Sequence, residues 1–296
     1  MEPKHYNWDT VFFLSVVLLV AVIAYGPLVG GLWEAGSRTT QALNAFVLLG
    51  VAFWDGFRTA ARADYFKPTI NTHGLFLFGL SCLALAAASL AQVWPLAVLG
   101  LCLNIGALLS FCFGRKGTIA FYPALAGFGA MVALLVWVPQ LDEWLRLLAG
   151  RVSVGILPNL GIRADMVVEA DPFQVILVAE KGAGIFNVAT ECNGFGILLS
   201  SVVLALIIAL RRRVSWVGVI LKVGAAAVIG LAFNVIRIVA ITMATLRTEF
   251  GYGLIHEGLG TVVYLLALTV VYAVSLIDSP FSWRCGRAVP CTDPGA

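Results

Sequence analysis

CNGFGILLSSVVLALIIALRRR, residues 192–213, decides how this chain is built. A thiol stands at its head, three arginines close it, and no charged side chain lies between them. The nineteen residues from Cys192 to Leu210 cover roughly 28 Å at about 1.5 Å per residue, one hydrocarbon thickness of a bilayer. A run of that length and character reads as a transmembrane helix with Arg211–Arg213 on its cytoplasmic side. Cys192 then falls at the outer boundary.

The rest of the chain agrees with that reading. Of its 296 residues, 60% are hydrophobic and 12% charged, whereas a soluble domain carries about 25% charged residues. Apolar runs near 20 residues recur at 10–32, 40–56, 73–92, 95–113, 118–139, 192–210, 214–246 and 256–277, each of a length to cross a membrane. The run at 40–56 is the least apolar of these, ending in Trp54-Asp55-Gly56-Phe57-Arg58. The first run is too long for a signal peptide and lacks a small-residue cleavage site, so it stays as a span. The expected fold is an all-α integral membrane protein of about eight spans, with a small outer-face α/β cap between the fifth and sixth.

Threading these spans puts eleven Lys and Arg of the loops on one face and six on the other. The richer face is cytoplasmic and holds both termini. A cytoplasmic (inner) membrane, multi-pass placement follows. The net charge of +3 reflects this bias, and no basic patch with interleaved aromatics points to nucleic acid. Cys82, Cys102 and Cys112 read as small buried hydrophobes, and Cys285 and Cys291 as reduced thiols of the tail.

Four regions result. Residues 1–140 form a five-helix membrane region, 141–191 a cap segment, 192–278 a three-helix catalytic region and 279–296 a cytoplasmic tail. In the cap segment, Trp144, Leu145, Leu147 and Leu148 alternate with Asp142, Glu143 and Arg146 as in a short interfacial amphipathic helix. Strand-like runs follow at 166–168, 173–178 and 185–188, separated by Asp171-Pro172 and Lys181-Gly182 turns.

Helix arithmetic then brings three reactive groups to one depth. From Arg213, the 24 residues to Arg237 cover about 36 Å if the helix is continuous. From Asp278 back to His256 is about 33 Å. Arg237, Cys192 and His256 all reach the outer side. An arginine among Phe233, Val235, Ile236 and Ile238 is costly against lipid and faces the bundle or a watered cavity. Asn234 lies one turn earlier on its face. Cys192 opens a helix, where the macrodipole favours a thiolate, with Asn193 and Gly194 beside it. His256 and Gly260 share one helix face. Glu191 and Glu257 are placed to orient or charge-stabilise the group. A thiolate, a proton carrier and a fixed cation suffice for acyl transfer through a tetrahedral oxyanion. No His-Glu-x-x-His, Gly-x-Ser-x-Gly or phosphate-loop pattern occurs, so no metal or other cofactor is expected.

Cys-Asn-Gly at 192–194, Asn-x-x-Arg-Ile at 234–238 and His-x-x-x-Gly at 256–260 together resemble the three motifs of the exosortase/archaeosortase family. The resemblance covers mainly residues 185–278. It implies a membrane cysteine protease or transpeptidase acting on exported proteins that end in a short motif, a transmembrane helix and a basic cluster. Cys192 would attack, His256 transfer protons and Arg237 stabilise the oxyanion. The acceptor would be an amine, a surface lipid or polysaccharide, or water. Many family members read Cys-Ser-Gly where this chain has Cys-Asn-Gly, and the soluble C-terminal domain of some relatives has no counterpart here. The competing reading is a non-enzymatic transporter or polysaccharide-export partner, with Arg237 and His256 lining a polar path.

Overall fold

The computed structural model describes residues 15, 17–18, 40–91, 93–170, 173–180, 184–188, 195–248 and 252–277. Helices dominate. They are α1 (Thr40–Arg62), α2 (Thr72–Ala91), α3 (Trp94–Ile156), α4 (Phe195–Arg211), α5 (Trp216–Arg247) and α6 (Tyr252–Leu276), with strands β1 (Arg163–Ala170), β2 (Phe173–Glu180) and β3 (Gly184–Val188) between α3 and α4. Apart from helical Ser15, Val17 and Leu18, the expected first span lies outside the described residues, as does the tail at 279–296.

Four of these helices contain stretches long and apolar enough to cross a membrane: Thr72–Ala91, Pro95–Leu134, Trp216–Arg247 and Gly253–Leu276. The chain is a multi-pass, predominantly helical membrane protein. Helix α4 is shorter at 17 residues, yet it is the most enclosed of the six. Its buried positions include Phe195, Ile197, Leu199, Val203 and Ala205, and it packs against α1, α3, α5 and α6. A helix buried around its circumference must be apolar on every face, which is why its sequence shows no polar stripe. At Gly230 of α5 an added Cβ would stand 3.2 Å from the Leu198 Cα. That glycine lets the α4 and α5 backbones meet.

Helix α1 runs six residues past the expected end of its apolar run, to Arg62. Of the polar residues that end the run, Arg58 is exposed and Asp55 is half-buried, accepting from Arg211 of α4 at 2.9 Å, while Gly56 lies directly against the Phe121 ring and the Ala120 carbonyl. The periodicity is that of an amphipathic helix continuing, not of a helix ending.

Helix α3 departs from helical geometry at Gly114, whose φ is 66° and ψ 177°. Such a break takes the i+4 amide away from the carbonyls just before it. The connector between α1 and α2 takes them up. Asn71 Nδ2 donates to the Ser110 carbonyl at 2.7 Å, and the Thr69 and Lys67 amides donate to those of Phe111 and Cys112 at 2.9 and 3.1 Å. Asn71 also caps α2, its Oδ1 accepting from the Gly74 amide at 2.8 Å and the Ser110 hydroxyl at 3.0 Å. The expected runs 95–113 and 118–139 thus fall on the two sides of a glycine break. The amphipathic stretch at 141–148, expected as a separate helix, instead continues α3 through Pro139 to Ile156. Membrane helices tolerate an interior proline because neighbours re-satisfy the freed carbonyl.

The strands form an antiparallel meander in the order β1-β2-β3, with Arg163 opposite Glu180 and Val175 opposite Val188. The strand-like runs of the sequence all fall inside them. Beyond β3 the chain passes through residues 189–194 and enters α4.

Two cations close the far end of α6. Lys222 is buried, and its Nζ donates to the Ser275 and Ile277 carbonyls at 2.7 Å each, while the Arg212 guanidinium donates to the Leu276 carbonyl. The last carbonyls of a helix lack intrahelical partners and carry the negative end of its dipole, so both bonds are favourable. Lys222, an ammonium within an apolar helix, is thus held by the end of a neighbouring one.

Candidate functional site

Arg237 lies on α5, in a helix that is continuous from Trp216 to Arg247. Its depth had depended on that continuity. Between Trp216 and Arg237 the helix rises about 31 Å, so Arg237 stands a full hydrocarbon thickness from the α5 start. Ser215 caps that start, its Oγ accepting from the Gly218 amide at 3.3 Å. His256 lies near the opposite end of the neighbouring, antiparallel sense of chain, in the second turn of α6.

The two side chains meet. Arg237 Nη2 and His256 Nε2 are 3.4 Å apart. Only 3% of Arg237 and 6% of His256 are exposed, so the pair is formed inside the bundle rather than against lipid. A guanidinium has only donors, so in this contact the imidazole nitrogen accepts. That role requires an unprotonated Nε2, which leaves the proton of a neutral ring on Nδ1. Nδ1 in turn stands 3.9 Å from the Glu257 carboxylate, whose side chain is largely exposed. The ring is thereby set between a fixed cation and a solvated anion.

Gly260 makes the contact possible. A Cβ placed there would lie 2.9 Å from Arg237 Nε and 3.0 Å from Nη2. The guanidinium therefore rests on the backbone of α6, one turn after His256. Asn234, one turn before Arg237, is buried at 1% exposure. Tyr264, also buried, extends the His256 and Gly260 face by another turn. Sequence reasoning missed Tyr264, although the spacing of four from Gly260 would have marked it.

Glu191, Cys192, Asn193 and Gly194 lie outside the described residues. Of the anticipated site residues, then, the structure brings Arg237, His256 and Glu257 together and places Asn234 on the same buried helix face. Cys82, Cys102 and Cys112 lie in α2 and α3, none of them in a disulfide.

A multi-pass helical membrane protein with an arginine–histidine pair buried between adjacent spans is the class that fold and geometry define. The family is specific. Residues 33–273 match the family described as Transmembrane exosortase (Exosortase_EpsH), and the chain belongs to that family. No curated protein matches the chain, and no solved structure does. Exosortase membership implies a membrane transpeptidase for proteins that carry a sorting signal.

Proposed function

We propose that this exosortase cleaves the C-terminal sorting signal of exported proteins through a Cys192 thioester and passes the acyl group to a surface acceptor. The Cys192 thiolate attacks the carbonyl carbon of the scissile peptide bond. The resulting oxyanion is stabilised by Arg237. His256 Nε2 exchanges its contact with Arg237 for the thiol proton and, as the C–N bond breaks, delivers that proton to the departing amine. An amine or water then attacks the thioester, gives its proton to His256 and releases the Cys192 thiolate. Asn193 and Gly194 border the nucleophile, Asn234 positions Arg237, and Glu191 and Glu257 modulate charge around the imidazole.

The observation that carries this reading is the 3.4 Å approach of Arg237 to His256. Two groups 19 residues apart in sequence and buried in adjacent helices supply a cation and a proton acceptor side by side. Both lie toward the Phe195 end of α4, where Ile197 packs with Phe233 and Tyr264, their neighbours on α5 and α6. In this reading 141–191 is a cap over the site, and the three-helix region 192–278 carries the chemistry. Site and cap face the outer side of the cytoplasmic membrane, with both termini inside.

Co-expression with a protein ending in a short motif, one transmembrane helix and a basic cluster tests the proposal. Wild type should convert it to a shorter species on a gel, and Cys192→Ala should leave it uncut. Conversion by the Cys192→Ala protein would refute thioester chemistry. Failure of the wild type to convert it as well would favour the reading of Arg237 and His256 as a polar path, which cleaves nothing.

A further inference from the structure

A cavity of about 730 Å³ opens at the other end of the bundle, where α1, the Gly114 break of α3, and the α4–α5 turn come together. Three cations line it, Lys116, Arg211 and Arg213, against a single carboxylate, Asp55. Asp55 accepts from Arg211 at 2.9 Å, and among the described residues Lys116 and Arg213 face no carboxylate partner. Among the described residues, two positive charges therefore remain uncompensated around a space of ordinary ligand size.

Arg213 is held there by an unusual turn. Helix α4 ends with the Val214 amide donating to the Ala209 carbonyl at 3.1 Å and the Arg213 amide to that of Leu210 at 3.0 Å. This is the helix end that normally puts glycine in the left-handed position. Here Arg213 occupies it with φ 52°. The glycine that would suit the backbone is replaced by a side chain that reaches the cavity.

The remaining walls are apolar. Ile207 and Leu210 of α4 and Ile119 of α3 line the space, and Ile119 is 61% exposed. A free inorganic anion would use the cations and leave these side chains without a role. We propose that the cavity binds the phosphate headgroup of an anionic phospholipid, with Lys116 and Arg213 on the phosphate and the upper acyl chain against Ile119, Ile207 and Leu210. Basic pockets between membrane helices recognise lipid headgroups by this combination of fixed charge and apolar flank. The site lies at the opposite end of α5 from Arg237 and does not depend on the proposed catalysis.

Native mass spectrometry of the full-length protein in detergent, titrated with phosphatidylglycerol, phosphatidylcholine or inorganic phosphate, tests this. Wild type should retain phosphatidylglycerol in preference to phosphatidylcholine. Lys116→Gln with Arg213→Gly should lower that retention by about tenfold, while the turn keeps its fold because glycine suits the left-handed position. Arg115→Gln removes an equal charge from an exposed neighbour outside the cavity and should change little. Equal loss with Arg115→Gln, or unchanged retention in the double variant, would overturn the site in favour of general surface charge. Displacement of the lipid by millimolar inorganic phosphate would overturn the lipid assignment and make the free anion the ligand.

Discussion

The guanidinium of Arg237 rests on the bare Cα of Gly260, with a notional Cβ only 2.9 Å from its Nε. The relationship links two helices and places the cation against His256. A methyl group at 260 must push the guanidinium away, because its three nearest atoms would be Nε, Nη2 and Cζ of Arg237. Gly260→Ala should therefore leave the fold intact and lower processing of a sorting-signal substrate by about 10²-fold, the scale of a misplacement near 1 Å. The comparison of turnover with thermal unfolding in detergent checks this. Full activity in Gly260→Ala would mean that the arginine position is not critical.

Arg237→Lys separates charge from geometry. A lysine keeps the cation but loses the planar fork that spans Gly260 and reaches His256. If Arg237 stabilises an oxyanion through fixed donors, Arg237→Lys should lose about 10²- to 10³-fold in turnover. Single-turnover formation of the thioester measures it. Retention of wild-type turnover in Arg237→Lys would reduce the role to a point charge.

Much of this arrangement was legible because lipid makes polar residues rare. Arg237 and His256 stood out against apolar neighbours, and the rise of about 1.5 Å per residue carried both to the same depth. The strand-like runs at 166–168, 173–178 and 185–188 showed through β-branched content and turn residues. What did not show were contacts between distant segments. Nothing near Lys222 announces that its partners are the Ser275 and Ile277 carbonyls. Nor does the Gly114 break reveal that Lys67, Thr69 and Asn71 answer its free carbonyls. Backbone acceptors carry no side-chain signature, so such pairings emerge only with the fold. Pro139 would break a helix in water and is absorbed within α3 here.

The Lys222 cap is open to direct measurement. Lys222→Met keeps the length and apolar stem but removes both bonds to the end of α6. Hydrogen bonds from a charged group are worth about 1.5–3 kcal/mol each at most, and part is regained by removing a buried charge. A net destabilisation of about 1–3 kcal/mol follows, read as a lower midpoint in detergent unfolding. Processing at permissive temperature should persist, because Arg237 lies at the far end of α5. An unchanged midpoint would show that the carbonyls find water instead.

Asn71 performs two tasks, capping α2 and bonding across to Ser110 of α3. Asn71→Ala should cost about 1–2 kcal/mol from the cap alone, and more from the Ser110 carbonyl left without its donor. Asn71→Asp retains the cap acceptor but cannot donate to that carbonyl. Asn71→Asp should therefore unfold between wild type and Asn71→Ala. Equal stability of Asn71→Asp and wild type would remove the cross-helix bond from the account.

Arg213 and Arg247 flank the two ends of α5, and positive-inside counting sends them to opposite sides of the membrane. Both are exposed, so each can be replaced by a reporter cysteine in a chain whose native cysteines are serine. A membrane-impermeant maleimide applied to intact cells should label Arg247→Cys and spare Arg213→Cys until the membrane is permeabilised. The loss of Cys192 does not compromise this measurement, since orientation is read without catalysis. The reverse pattern would place the Arg237–His256 end in the cytoplasm, out of reach of exported substrates. It would leave the acyl-transfer chemistry possible but require a cytoplasmic target.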